Sequence, residues 1–178
     1  MSGERLQIRV VQGSILEVDV QAIVNAANSR GIMGGGVAGV IKRAAGPEVD
    51  EEARRQAPIP VGSAVMTSGG RTRYQAIIHA PTMPAPAMRI APQNVALATR
   101  AALALADSRG FASVAIPGMG TGVGGVAHTD GAAMMIKEIR AFVPRALQTV
   151  VLVDVDPAMV QAWREALNDT TRLEKGQR

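Results

Sequence analysis

The chain contains no cysteine, which excludes disulfides, thiolate metal sites and a cysteine nucleophile together. Aromatic residues make up 2% of its 178 residues: one Trp, one Tyr and two Phe. The core must therefore be built from Ala, Val, Ile, Leu and Met, and single-stranded nucleic acid finds almost no platform for base stacking. There are two histidines and no spaced carboxylate cluster, so no metal site is signalled and no cofactor is expected. No apolar run approaches the ~18 residues that span a bilayer. The start, Met1-Ser2-Gly3-Glu4-Arg5, is polar and unlike a signal peptide. These absences together lead to the expectation of a soluble cytoplasmic protein without a membrane partner.

What is present suits a single α/β domain. The apolar fraction is 47%, and a chain of this size buries roughly 70% of its unfolded surface. The formal charge of +4 rests mostly on dispersed arginines. A mild positive field suits anionic ligands, but no basic run with interleaved aromatics marks nucleic acid as a specific partner. Residues 1–168 are expected to form the domain and 169–178 a polar tail, frayed from about Asn168. Nothing in the sequence signals an oligomeric state.

Leu6, Ile8 and Val10 alternate with polar residues as in a half-buried strand. Gln12-Gly13-Ser14-Ile15 follows as a turn, and Val20–Val24 is a second strand ending at Asn25-Ala26-Ala27-Asn28. A helix is predicted from the spacing of Val37, Val40, Ile41 and Ala44, and Pro47 opens the next, over Glu48–Gln56. Ser63–Thr67 and Tyr74–His79 read as strands, Pro92–Ser108 as a long helix stopped by Gly110, and Asp130–Phe142 as another with Asp130 as its cap. Met134, Met135 and Phe142 fall on its core side. Thr149–Val153 is β-branched throughout apart from one leucine, and reads as a central strand. Pro157 begins a last helix carrying Met159, Val160, Trp163 and Leu167. Alternating strands and helices with short links predict a three-layer α/β fold.

Two stretches are dense in glycine. Gly34-Gly35-Gly36 precedes the first helix, and Ile116-Pro117-Gly118-Met119-Gly120-Thr121-Gly122-Val123-Gly124-Gly125 follows a short strand. A strand, a glycine loop and a helix in that order make an anion cradle, because the loop admits a ligand close to backbone N–H groups at the helix start. Glycine kept only for a tight turn is the competing reading. Gly120–Gly125 formally matches the dinucleotide fingerprint. It comes too late in the chain, however, and the acid at about the right distance, Glu138, falls inside a predicted helix. The lysine-bearing P-loop pattern is absent, and no Ser-His-Asp arrangement can be argued.

Ala22-Ile23-Val24-Asn25-Ala26-Ala27-Asn28 followed by Gly34-Gly35-Gly36-Val37-Ala38-Gly39 resembles the macrodomain family, the ADP-ribose-binding module of the Appr-1''-p processing type. The resemblance extends from Gln12-Gly13-Ser14-Ile15 to the last strand. It implies a three-layer α/β/α fold with a mixed, mostly parallel sheet of about six strands. It further implies that Asn28 hydrogen-bonds the distal ribose, that Gly35, Gly36 and Val37 lie along that ribose and the diphosphate, and that Gly120, Thr121, Gly122 and Val123 cradle the diphosphate. Gly13, Ser14 and Ile15 fall where the family contacts adenine. Asn25 is expected to be structural, its amide holding loop backbone.

The departures are specific. The family usually carries aspartate where this chain has Ser14, an aromatic where Gly124 stands, and often an aromatic near Val155, which lies between Asp154 and Asp156. One hydrolase branch has aspartate at the place of Ala38; viral hydrolases resembling the family have alanine there and histidine where this chain has Met33. Asn28 and Gly36 are the implied catalytic positions, orienting the ribose and a water, with the substrate's diphosphate assisting deprotonation. His79 is expected to be a satisfied structural histidine, and His128 to be exposed or helix-capping. The implied role is binding of ADP-ribose or mono-ADP-ribosyl groups. Hydrolysis of an ADP-ribosyl ester, O-acetyl-ADP-ribose or ADP-ribose-1''-phosphate is the alternative, and a nucleotide or RNA binder with an altered adenine pocket the third.

Overall fold

The computed structural model describes residues 5–176. Strands β1 (Gln7–Gln12), β2 (Ala22–Asn28), β3 (Val65–Ser68), β4 (Ala76–Met83), β5 (Ser113–Ile116) and β6 (Thr149–Asp154) form one sheet in the order β1-β6-β5-β2-β4-β3. Every neighbouring pair is parallel except β3 with β4. The period of two along the strands divides the apolar residues between two cores. Ile23, Ile77, Ala115, Val151 and Val153 face α1 (Gly36–Ala45) and α2 (Pro47–Arg55). Val24, Ile78, Val114, Ile116, Val150 and Leu152 face α3 (Pro92–Ser108), α4 (His128–Ala141) and α5 (Pro157–Gly176). The result is a three-layer α/β/α arrangement in which the inner strands β2, β4, β5 and β6 are largely buried and mostly apolar, while the edge strands β1 and β3 are partly exposed. No helix among the described residues is long and apolar enough to cross a membrane.

Local signals account for most boundaries. Gly46 (φ +102°) ends α1 and Pro47 opens α2, where a missing N–H has no helical partner to lose. Helix α3 runs from Pro92 to Ser108; Gly110 (φ +78°) follows its C-cap, and its N–H donates to the Asp107 carbonyl.

Several expectations are corrected. β2 starts at Ala22 and carries the whole Asn25–Asn28 segment within the strand, and Ile15–Glu17 after β1 is a 3₁₀ turn. β4 continues beyond His79 to Met83 despite Pro81, because β3 pairs with β4 only as far as His79. Beyond that point one side of β4 is an edge, where a residue without an N–H is tolerated. Asp130 does not cap α4: Ala127 is the N-cap, without a side-chain bond, and Asp130 sits in the first turn. The polar stretch from Asn168 is not irregular but continues α5 to Gly176.

Candidate functional site: a cleft between two glycine loops

The carboxyl ends of β1, β2, β5 and β6 all open onto one cleft of about 900 Å³, the position at which open parallel sheets hold ligands. The structure brings every residue singled out as a ligand contact to its walls. Gly13, Ser14 and Ile15 come from the turn after β1, Asn28 from the end of β2, and Gly35, Gly36 and Val37 from the start of α1. Gly120, Thr121, Gly122, Val123 and Gly124 come from the loop after β5, and Val155 from the turn after β6.

The first loop is held from below by a buried charge. Asp50 on α2 accepts from the Met33 N–H at 2.9 Å and is flanked by Lys42 (3.2 Å) and Arg54 (3.0 Å). Burial opposes its ionisation, but that N–H and the two cations together keep its pKa below the ordinary value. Met33 turns its side chain into the core. The glycines after it face open space: a Cβ at Gly34, Gly35 or Gly36 would meet nothing within 4 Å. Helix α1 opens there without a side-chain cap or an acid in its first turn, and the N–H groups of Gly36, Val37 and Ala38, which line the cleft, have no partner among the described residues.

The second loop is tied down at its ends and free in the middle. Asp154, at the end of β6, accepts from Gly118 N (3.1 Å) and Asp156 N (2.9 Å). Val126 N donates to Gly120 O (3.1 Å), and Gly124 O accepts from Ile90 N (3.0 Å). Between these ties, the N–H groups of Thr121, Gly122, Val123 and Gly124 have no partner among the described residues. Asp154 thus anchors a loop 36 positions before it. Asp154→Asn, which keeps one acceptor, is expected to lower the unfolding free energy by roughly 1–2 kcal/mol; urea denaturation measures it.

The loop-bracing role expected of Asn25 falls to Asn28 instead. Asn25 does not hold loop backbone; it is buried opposite His79 in register on β4, with its Nδ2 3.1 Å from His79 Nδ1. Asn28 is the residue that braces the loop: Nδ2 donates to Ile32 O (2.8 Å), and Oδ1 accepts from Arg30 N (3.1 Å) and Ile32 N (3.3 Å). Its oxygen is fully engaged, so what Asn28 can present to a ligand is the second amide N–H.

His79 takes no part in the cleft. It is fully buried, its Nε2 lies 2.9 Å from Thr67 Oγ1, and burial lowers its pKa from 6.5 to about 4. His128 does reach the wall, as the first residue of α4, where Nε2 meets Asp156 Oδ2 at 2.9 Å. It bridges the second loop's helix to the turn after β6, neither loosely exposed nor capping.

Ser14 is the N-cap of the 3₁₀ turn: its hydroxyl accepts from Leu16 N at 3.2 Å. Tyr74 locks that turn from beneath, donating to Val18 O (2.7 Å) with Ile15 O 3.0 Å from the same hydroxyl. Val123 and Val155 are 66% and 70% exposed at the mouth, apolar surface that a ligand would cover. At Gly124 an added Cβ would lie 2.6 Å from Gly120 O, so this backbone has no room for an aromatic side chain there. The cleft is walled instead by Thr82, Met83, Pro86 and Ala87, which sequence reasoning missed. The signal was the end of β4, concealed by ending that strand at His79.

Fold and cleft define the class: a three-layer α/β domain whose main cleft is built from loops at the carboxyl ends of parallel strands. The Macro domain family model matches residues 24–135, and the chain belongs to that family. A protein of Aquifex aeolicus is 57% identical over 162 residues, covering 91% of this chain and 98% of its own. An O-acetyl-ADP-ribose deacetylase of Escherichia fergusonii is 38% identical over 147 residues, 78% of this chain and 81% of its own. Among solved structures, the Oceanobacillus iheyensis macrodomain with ADP superposes with a TM-score of 0.85 at 26% identity, covering 97% of this chain and 95% of that one. The Trypanosoma brucei macrodomain in complex with ADP-ribose gives 0.81 at 26% identity, covering 90% and 69%.

Proposed function

We propose that the cleft binds ADP-ribose or a mono-ADP-ribosyl group, with the diphosphate between the two glycine loops. The observation that carries this reading is the pair of unpaired N–H sets, Gly36–Ala38 and Thr121–Gly124, lining one cleft. Such donors suit an anion without needing a lysine or a metal ion. The two carboxylates on the wall, Asp154 and Asp156, already accept bonds from Gly118, Asp156, Ala158 and His128. Neither faces the cleft as an unengaged acceptor. Asn28 then offers its remaining N–H to a distal-ribose hydroxyl, and the solved relatives with ADP and with ADP-ribose support this ligand class.

Titration calorimetry with ADP-ribose, ADP, AMP and a short RNA tests the proposal. ADP-ribose should bind best; affinity no better than that of AMP would remove the distal-ribose role of Asn28. Asn28→Ala should weaken ADP-ribose by about tenfold or more, the value of a hydrogen bond plus a loosened loop, with little change for AMP.

Deacetylation of O-acetyl-ADP-ribose is the second reading, favoured by the relative of that activity. Ala38 provides no acid at the start of α1, and the titratable side chains on the wall are Arg43, His128, Asp154 and Asp156. Turnover here would depend on a water ordered by Asn28 and the Gly36 backbone and deprotonated with help from the substrate's diphosphate. Acetate release no faster from the native protein than from Asn28→Ala would count against an enzyme.

A further inference from the structure

The cleft is charged oppositely at its two ends. Asp154 and Asp156 line the end beside the turn after β6, and Arg43 lines the wall beside the first loop. Arg43 lies back over the start of α1, its Nη1 3.3 Å from where a Cβ on Gly39 would stand. Two further arginines join it on the rim. Arg30 follows Asn28 in the first loop, where its backbone N–H donates to Asn28 Oδ1 at 3.1 Å. Arg89 comes from the segment between β4 and α3, its Nε 2.9 Å from the Cβ position of Gly125. The next residue, Ile90, ties that segment to Gly124 O at 3.0 Å.

All three arginine side chains are exposed, and none has a hydrogen-bonding or ionic partner among the described residues. The segments that build this end of the cleft, 28–43, 82–90 and 117–127, contain no Asp or Glu. Lys42 is the other cation there, and Asp50 on α2 occupies it. Like charges left uncompensated repel one another, and a partner of opposite charge is drawn to them.

The arginines stand on separate segments around the mouth, so the anion that fits them is extended rather than compact. The planar guanidinium fork matches a carboxylate with two hydrogen bonds. A nucleic-acid strand would want aromatic platforms for its bases; Trp163, Tyr74 and Phe111 are buried, and Phe142 packs against the core. Met88, beside Arg89, is 41% exposed and offers apolar surface to the body of a peptide.

We propose that this rim docks an acidic polypeptide segment, so that the ADP-ribosyl group taken by the cleft is one attached within a stretch of Asp and Glu. The inference rests on the ADP-ribose reading: with the distal ribose at Asn28, whatever is joined to that ribose leaves the cleft past the arginines.

Calorimetry with free ADP-ribose and with ADP-ribose joined through an oxime to aminooxy peptides tests it, since the oxime has no ester to cleave. The peptides carry glutamate, glutamine or lysine flanks. The glutamate conjugate should bind about tenfold tighter than the glutamine one, the sum of three exposed ion pairs, and the lysine conjugate weakest. High salt should remove the difference. Arg30→Gln combined with Arg89→Gln should cut the glutamate advantage to about threefold or less and leave free ADP-ribose within about twofold; thermal denaturation checks that the fold is kept. Equal affinity for the glutamate and glutamine conjugates, with free ADP-ribose bound tightly, overturns this inference and leaves the ADP-ribose reading standing. A glutamate advantage that survives the double variant intact overturns it too. So does an ADP-ribosyl oligonucleotide bound more tightly than the glutamate conjugate. Binding of none of the ligands, free ADP-ribose included, overturns both readings.

Discussion

Gly122→Glu is expected to abolish ADP-ribose binding and to leave the fold intact. A Cβ at Gly122 meets nothing within 4 Å, and no left-handed backbone has to be accommodated there, so the side chain enters open cleft without strain. The N–H groups of Thr121, Gly122, Val123 and Gly124 are the second loop's unpaired donors, and a carboxylate planted among them satisfies the cradle with the protein's own charge. Repulsion between that charge and a diphosphate ~5 Å away is about 3 kcal/mol at an effective dielectric of ~20. Affinity should therefore fall at least ~100-fold by calorimetry, and urea denaturation should stay within about 0.5 kcal/mol of the native protein. Gly122→Ala, which adds bulk without charge, should lose much less. High salt should recover part of the Gly122→Glu loss through screening. A Gly122→Glu protein that binds as tightly as the native one would show that this loop serves packing alone.

The second large effect is on stability and has its source outside the cleft. His79 has a pKa of about 4 in the folded protein against 6.5 for a free histidine, because burial disfavours the cation. Below pH 6.5 the unfolded chain takes up a proton that the folded chain refuses, so acid favours unfolding. The loss accumulates from pH 6.5 down to about 4 and reaches about 3 kcal/mol, at 1.36 kcal/mol per pKa unit. The carboxylates with lowered values act in a different window. Glu52, held down mainly by Ser68, and Asp50 stabilise the fold above their ordinary pKa values of 4.5 and 3.8 and lose that contribution only in stronger acid. Urea denaturation between pH 7.5 and 4.5 isolates the histidine, and His79→Gln should flatten the slope. A native stability that is constant across that interval would sink the assignment.

The layer order of the fold was readable because strand periodicity separates Ile23 from Val24 and Ile77 from Ile78, sending neighbours into different cores. Glycine and proline placed the ends of α1, α2 and α3 for the same kind of local reason. The glycine loops stood out in the sequence as glycine-rich links between strand and helix, and their assembly into one cleft followed only with the family resemblance. Less visible were the features that depend on pairing across the sheet. Asn25 and His79 meet because they are register partners on β2 and β4, and no spacing along the chain encodes a separation of 54 residues. The hold of Asp154 on Gly118 is likewise long-range. Asn25 and Asn28 stand on one strand only because β2 runs on to Asn28, which the sequence reading, ending the strand at Val24, did not show.

The contact waiting at Gly124 also restricts the routes by which this cleft can change. An aromatic side chain there must first displace the Gly120 carbonyl, 2.6 Å from the new Cβ, yet that carbonyl receives the Val126 N–H that closes the loop. Gly120 itself is held at φ +71°, with Ile90 and Val95 against its own Cβ position. The substitution is therefore epistatic: harmful alone, and neutral only after the loop closure or the Ile90 packing has shifted. A mutational path from this open cleft to a narrow, aromatic-walled one has to pass through residues that touch no ligand. Libraries that randomise Gly124 alone should return glycine, whereas libraries that also vary Ile90 and Val95, the side chains packed against Gly120, should recover larger residues.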